Sequence, residues 1–464
     1  MLLVNLPYLE DIYSGLKNAV AIQPPLGLAY IAAYLENKGE SAEILDANAL
    51  GMSIDDAVKK AVRSKHSYIG ITCTTNTIHL VYDFSKKVKE KCDKIIVVGG
   101  PHVTFSSEET LKECDEIDII VRGEGELTSY EIVKGISLKK IKGITYRSKG
   151  KIISNPDRDK FEIDINNMPF PARHLLPLDR YRPGAFFNIG NSGKEYATII
   201  TSRGCPNKCV FCSSSHFWKT FRVRKPKNIL SEIDLLVKEY GVKHLHFLDD
   251  TLTVPASRLE KICDGLIERD YDLEWNCYSR VDIITDDIVR KMKKAGCFGV
   301  TFGVESGNQK ILNKIQKNIT LNQIRKAVKI TKMHDLDVHA DFMIGLPGDT
   351  KKTIIQTIDF AIELNPKLAL FSITTPFPGT QMFDEMKKKN RLGNIKWTEM
   401  TMHEFTKFGN SIVSSEEIKK LYNLAYKKFY FRPRFFMCST KRLIMHPREI
   451  WPFILGGMYM VSQK

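Results

Sequence analysis

No stretch of this chain reaches the ~20 consecutive apolar residues that a membrane-crossing helix needs. The start carries no basic segment ahead of a hydrophobic one, so a secretion signal is not expected. Without export, the 10 cysteines are expected as reduced thiols or metal ligands rather than disulfides. Repeats of fixed period and low-complexity tracts are also missing, which excludes solenoids and long disordered segments. Acidic residues are in deficit, 54 against 69 basic ones, giving a formal net charge of +15. That surplus suits nucleic acid, phospholipid or a phosphorylated substrate, and equally suits plain solubility.

A length of 464 residues suggests roughly three domains at about 150 residues each. Residues 1–140 alternate short apolar strands with amphipathic helices. Strands are expected at Leu2–Leu6, Ala42–Asp46, Tyr68–Cys73, Lys94–Gly99 and Ile117–Val121, with Ser53 as the N-cap of a helix to Ser64. This order predicts an α/β, doubly wound parallel sheet, whose ligand sits outside the carboxyl ends of the strands. The loops there hold Thr74, Gly99-Gly100-Pro101-His102 and Arg122-Gly123-Glu124-Gly125-Glu126. Residues 141–190 read as a linker, with a hairpin over Lys149-Gly150-Lys151 and then dense proline.

Residues 191–395 give a second series. Strands are expected at Ala197–Ile200, His244–Leu248, Glu274–Tyr278, Gly299–Val304, Asp337–Ile344 and Leu368–Thr374. Six βα units predict a partial (β/α)6 barrel with its chemistry at the carboxyl ends of the strands. Residues 396–464 read as a small helical C-terminal region. Residues 426–448 contain no acidic residue and interleave basic side chains with Tyr426, Phe429, Tyr430, Phe431, Phe435 and Phe436. Such a segment suits an anionic lipid surface, RNA or the cleft itself, and a plain solvated helix face has the same composition.

The sharpest signal is Arg203-Gly204-Cys205-Pro206-Asn207-Lys208-Cys209-Val210-Phe211-Cys212. Three thiols fall in one loop just after a predicted strand. A [4Fe–4S] cluster is normally held by four thiolates, so three leave one iron open to a small ligand. A structural zinc site would recruit a second cysteine or histidine pair at a defined distance; His216 follows, but no paired ligands do. The other seven cysteines are scattered and read as core thiols.

Cys205, Cys209 and Cys212, with Phe211 as the aromatic between the last two, resemble the cluster motif of the radical S-adenosylmethionine (SAM) superfamily. The resemblance implies that the open iron chelates SAM, which is cleaved reductively to a 5′-deoxyadenosyl radical with an electron from an external donor. Further motifs match in order: Phe247-Leu248-Asp249-Asp250, Ser279-Arg280-Val281-Asp282, Phe302-Gly303-Val304-Glu305, Phe342 to Thr350, and Thr375 to Thr380. SAM contacts are implied for Phe211, Asp249, Asp250, Arg280 and Glu305. Many family members have Gly-Gly-Glu where this chain has aspartates, which leaves open which Asp meets SAM.

The first domain is similar to the cobalamin-binding domain of the cobalamin-dependent (B12) radical SAM group, through Pro24 to Tyr30, Gly99 to Thr104 and Arg122 to Glu126. Cobalamin contacts are implied for Thr74, Gly99, Gly100, Pro101, Gly123 and Glu124. Residues 7–27 lack the Asp-x-His-x-x-Gly histidine that ligates cobalt in many such domains, and Asp337-Val338-His339 is a decoy inside a predicted barrel strand. His102 is expected to be a hydrogen-bonding residue rather than a substitute ligand.

The resemblance implies a cytoplasmic C-methyltransferase that moves a methyl group from SAM via methylcobalamin to an unactivated carbon. Ring formation or closure without methylation, on a lipid or tetrapyrrole, is the competing reaction. A nucleic-acid-binding iron–sulfur protein is the alternative from another class, and the ordered SAM motifs argue against nucleic acid as the partner. Lipid, tetrapyrrole, peptide and protein side chain all fit as substrate. Residues 426–461 are the expected place of any peripheral contact with the inner face of a membrane.

Overall fold

The protein is described from a computed structural model, in which residues 1–12, 20–159, 162–184, 195–393, 396–400, 410, 412–433 and 435 are described. Seven strands form the first sheet: β1 (Leu2–Asn5), β2 (Glu43–Asp46), β3 (Tyr68–Thr72), β4 (Ile95–Gly99), β5 (Ile119–Val121), β6 (Ile144–Ser148) and β7 (Lys151–Ser154). Their order is β2-β1-β3-β4-β5-β6-β7. The first five pair in parallel, and β6 and β7 add antiparallel at one edge. The sheet is therefore mixed rather than wholly parallel. The hairpin read as the start of a linker is hydrogen-bonded onto β5 and continues the sheet.

Period-two alternation explains why both faces are covered. Val4, Ile69, Ile71, Val98 and Ile120 pack into one core, while Leu3, Val97, Ile119 and Val121 pack into another on the opposite face. Ser53 caps its helix as expected, its hydroxyl accepting from the amide of Asp56 at 3.1 Å. The chain order reverses between β1 and β3, which opens a crevice at the carboxyl ends of these strands.

The second sheet begins with β8 (Tyr196–Ile199). A small antiparallel pair follows, β9 (Ser202–Arg203) with β10 (Arg222–Val223). The series then continues through β11 (His244–Phe247), β12 (Glu274–Ser279), β13 (Cys297–Glu305), β14 (Asp337–Ile344) and β15 (Leu368–Ile373). These run in the order β15-β14-β13-β12-β11-β8, all parallel, as an open partial barrel. Ala197, Ile199, Leu245, Phe247, Trp275, Val300, Phe302 and Phe342 point outward into one large core beneath the helices.

The helix Ser415–Tyr430 packs on β15 and the helix Lys351–Leu364. This corrects the surface reading of its aromatics. Phe429 and Tyr430 are buried, Tyr426 and Phe435 pack against the same core, and among the described aromatics of this stretch only Phe431 is prominently exposed. The remainder of the basic stretch, including Lys441, Arg442 and Arg448, lies outside the described residues, as does the apolar segment 450–461. No helix among the described residues is long and apolar enough to cross a membrane.

Candidate active site between the two sheets

The cluster loop leaves β8 through Thr201 and the β9–β10 pair, which closes its base. Gly204 adopts φ 87°, and a Cβ there would lie 2.8 Å from the carbonyl oxygen of Thr220. Only glycine turns the chain here without strain. Halfway along, the amide of Val210 donates to Ile315 O and its carbonyl accepts from the amide of Met382, both at 3.1 Å. The loop is thereby pinned to the barrel. Cys205, Cys209 and Cys212 are free thiols, each half-buried. They share the loop but not a fixed convergence: among the described residues no three His, Cys, Asp or Glu side chains stand close enough to hold a metal ion. Burial pushes the Cys212 thiol up to about 11 and raises that of Cys209, with the charge of Lys317 opposing the rise at Cys209. Loss of these protons accompanies cluster binding.

The two aspartates after β11 separate in role. Asp249 is buried and accepts from the amide and hydroxyl of Thr201 and the hydroxyl of Ser202. It is engaged in holding the strand ends together and is not among the residues lining the cavity between the sheets. Asp250 does face the cavity, with the Ser214 hydroxyl donating to it; burial raises its carboxyl. Arg280 bonds Asp282 at 2.9 Å and Lys317 O at 3.1 Å. Glu305, at φ 64°, receives Lys317 at 2.7 Å, and the ammonium of Lys317 lies 6.0 Å from the Phe211 ring centroid. Phe211, Arg280 and Glu305 are thus linked through Lys317. On β14, Asp341 Oδ1 is shielded and takes no hydrogen bond among the described residues. Burial pushes this carboxyl up to about 7, with Glu305 adding to the rise.

A cavity of about 530 Å³ lies between the two sheets. One wall is Gly99, Gly100, Pro101, Gly123 and Glu124; the facing wall is Cys212, Ser213, Ser214 and Asp250. It continues along the sheet face past Leu3, Val97 and Val121. Gly100 adopts φ 114°, and a Cβ would meet Cys73 O at 2.3 Å. Only glycine lets the end of β4 lie this close to the backbone of Cys73. Thr74 lies instead in an adjoining pocket of about 380 Å³ with Asn5, Tyr8 and Asn76. His102 is buried, 3.2 Å from the Thr75 hydroxyl and edge-on to Trp397 at 4.8 Å; it is not among the residues lining either pocket.

Comparison with known proteins agrees with this arrangement. The B12 binding domain family matches residues 15–133 and the Radical SAM superfamily matches residues 199–361. A protein of Pyrococcus horikoshii named as an uncharacterized methyltransferase is 37% identical over 435 residues, 91% of each chain. The chain belongs to the cobalamin-dependent radical SAM family. The anaerobic magnesium-protoporphyrin IX monomethyl ester cyclase of Rubrivivax gelatinosus is 31% identical over 81% of this chain and 69% of its own. The solved radical SAM methyltransferase TsrM of Kitasatospora setae, with cobalamin and a [4Fe–4S] cluster bound, shares the fold: TM-score 0.70, 17% identity, 84% of this chain and 77% of that one.

This family member is a radical SAM enzyme whose cofactors are a [4Fe–4S] cluster, SAM and cobalamin. The donor set fits them: three free thiols on one loop, a cavity-facing carboxylate at Asp250, and a glycine cradle opposite. Sequence reasoning missed the partners that hold these groups. Ser214, Lys317 and Trp218 carry no motif of their own, Tyr30 was read only as the end of the Pro24 to Tyr30 motif, and Arg203 only as part of the cysteine motif. The Arg203 guanidinium sits 3.0 Å from Glu124 and 2.5 Å from Glu126. Glu124 also pairs with Arg222, so two guanidiniums engage its carboxylate at the cavity wall.

Proposed function

We propose that this enzyme is a C-methyltransferase acting on an unactivated carbon. The observation that carries this reading is the single cavity bounded on one side by the glycine-rich strand ends and on the other by the cluster loop. Both cofactor walls face the same space. When bound, the cluster and SAM supply a carbon-centred radical and cobalamin supplies the methyl group. The chain's own work is positioning and exclusion of water. Cys205, Cys209 and Cys212 are proposed to hold the cluster, Asp250 to accept from the SAM ammonium, and Phe211, Arg280 and Glu305 to shape the rest of the SAM site. Gly99, Gly100, Pro101 and Gly123 are proposed to cradle cobalamin, with Thr74 in the adjoining pocket. An external one-electron donor completes the system.

The test has two arms. Anaerobically reconstituted protein is expected to hold about four irons and to cleave SAM. The triple variant Cys205→Ala, Cys209→Ala, Cys212→Ala is expected to do neither, and retained cleavage would refute the cluster assignment. Mass spectrometry of metabolites and proteins from a deletion strain is expected to reveal a substrate that lacks one methyl group in the product. A second reading, ring formation, draws on the 31% identity to the cyclase; a product that differs only by lost hydrogens supports it instead.

A cytoplasmic enzyme with reversible membrane contact is proposed for the region after Phe435. The aromatics before that point serve the barrel, so charge is left as the main attraction, ~1 kcal/mol per basic residue near anionic lipid. A chain ending at residue 435 is expected to lose sedimentation with anionic liposomes while keeping its cluster. Equal binding of the full chain to anionic and neutral liposomes would remove this reading.

A further inference from the structure

Arg203 immediately precedes Gly204 and Cys205, yet its side chain belongs as much to the first domain as to the second. Its guanidinium is buried between two carboxylates of the loop after β5, Glu124 at 3.0 Å and Glu126 at 2.5 Å. Its flat faces are covered by Tyr30, 5.6 Å to the ring centroid, and Trp218, 5.5 Å. Tyr30 comes from the first domain and Trp218 from the far end of the cluster loop. Arg222, paired with Arg203 across β9–β10, reaches the same Glu124. Two guanidiniums thus neutralise two carboxylates in a buried crossing between the domains. Planar, bidentate-capable arginine is suited to such a fixed crossing, and lysine would lose the fork and the ring contacts.

The placement matters because every part of this crossing except Arg222 also borders the cavity. Gly123, Glu124, Gly125, Glu126, Tyr30, Arg203 and Trp218 line it, together with Cys212. A ligand filling the cavity would lie against the loop that grips Arg203, and Arg203 is one peptide away from the turn at Gly204.

We propose that Arg203 is a positioning residue that couples cobalamin occupancy to the environment of the cluster through its clamp by Glu124 and Glu126. The coupling is a free energy shared by two sites, so it works in both directions. Cobalamin loading alters the affinity of the loop for the cluster, and cluster loading alters the affinity for cobalamin by the same factor. Without the clamp, the two cofactors bind independently. This inference rests on the assignment of the cavity to cobalamin and of the three cysteines to the cluster. Iron content and corrinoid retention measured alone report on those assignments separately.

The experiment uses the full chain with Glu126→Gln, a near-isosteric change, and Arg203→Lys, which keeps the charge but loses the fork and the ring contacts. Electron paramagnetic resonance of the reduced cluster is recorded with and without hydroxocobalamin. Hydroxocobalamin affinity is measured before and after cluster reconstitution. Wild type is expected to show a changed cluster spectrum on loading and an affinity ratio of about fivefold or more, the lower range of ordinary coupling. Both variants are expected to keep their iron and bind corrinoid, with the spectral response lost and the ratio near one. A wild-type cluster indifferent to hydroxocobalamin, or variants that respond as wild type does, would overturn the proposal. Variants that keep their iron but no longer retain corrinoid would also overturn it, because Glu126 and Arg203 would then serve the cavity wall alone.

Discussion

The hydroxyl of Tyr430 donates to the carbonyl of Ala369 at 2.8 Å and accepts from the amide of the same residue at 3.2 Å. One turn earlier, Tyr426 does the same to Phe371, at 3.0 and 3.2 Å. Both backbone sites lie on β15, the edge of the open barrel. An open barrel leaves a row of unpaired edge groups, and these two hydroxyls, one helical turn apart, satisfy part of it.

Replacing Tyr426 and Tyr430 with Phe keeps the packing and strands those edge groups. Each change is expected to cost ~1–3 kcal/mol, the penalty for a buried group left unpaired. Thermal denaturation of the double variant is the check. An unchanged midpoint would mean that water reaches the edge and the hydroxyls contribute nothing.

Gly100→Ala places a methyl against Cys73 O in a backbone conformation that disfavours side chains. Retention of hydroxocobalamin, read from the visible spectrum, is expected to fall sharply. His102→Ala is expected to leave it largely intact, since that ring packs on Trp397 outside the cavity. Loss of corrinoid in the His102 variant with normal retention in the Gly100 variant would reverse the assignment.

Asp249 and Asp250 are neighbours with opposite expected phenotypes. Asp250→Asn is expected to weaken SAM binding by roughly 10-fold or more, because a charge-assisted hydrogen bond contributes ~1.5–3 kcal/mol; its denaturation midpoint should hold. Asp249→Asn is expected to lower the midpoint, since Asp249 accepts from both Thr201 and Ser202 beside Arg258. Calorimetric SAM titration and thermal scans of the two variants separate these roles.

Much of this was legible in the sequence, and the parts that were not share one cause. The six barrel strands, the helix caps such as Ser53 and the sharp turn at Gly204 are local matters, settled by periodicity and neighbours. The Asp249–Asp250 division was hidden because adjacent side chains point to opposite sides of a strand end, and only the fold says which side is the cavity. Arg203's partners lie 79 and 77 positions away at Glu124 and Glu126. The tail misled for the same reason: an aromatic face looks alike whether it meets lipid or the edge of β15.

Asp341 provides a pH test. Its carboxyl is raised from 3.8 to about 7 by burial. A raised folded value means the folded state holds the proton more tightly than the unfolded one, so the stability it lends is full below about pH 4 and lost as pH climbs through about 7. Asp341→Asn, uncharged throughout, is expected to gain on wild type between about pH 5 and 8, by on the order of a few kcal/mol at most, since a tenfold change in proton affinity corresponds to ~1.4 kcal/mol. Denaturation curves of the cofactor-free proteins at both ends of that range decide it. A difference independent of pH would show that Asp341 titrates normally.

The central claim is methyl transfer, and it can be tested before the carbon acceptor is known. Cluster-replete protein loaded with hydroxocobalamin is given a strong reductant and SAM whose methyl group is deuterated, and the corrinoid is then extracted and weighed by mass spectrometry. The expected result is corrinoid carrying the deuterated methyl group, in an amount approaching that of the protein. Corrinoid that stays unlabelled while SAM is cleaved to 5′-deoxyadenosine would contradict methyl transfer and leave ring chemistry as the reading of this site.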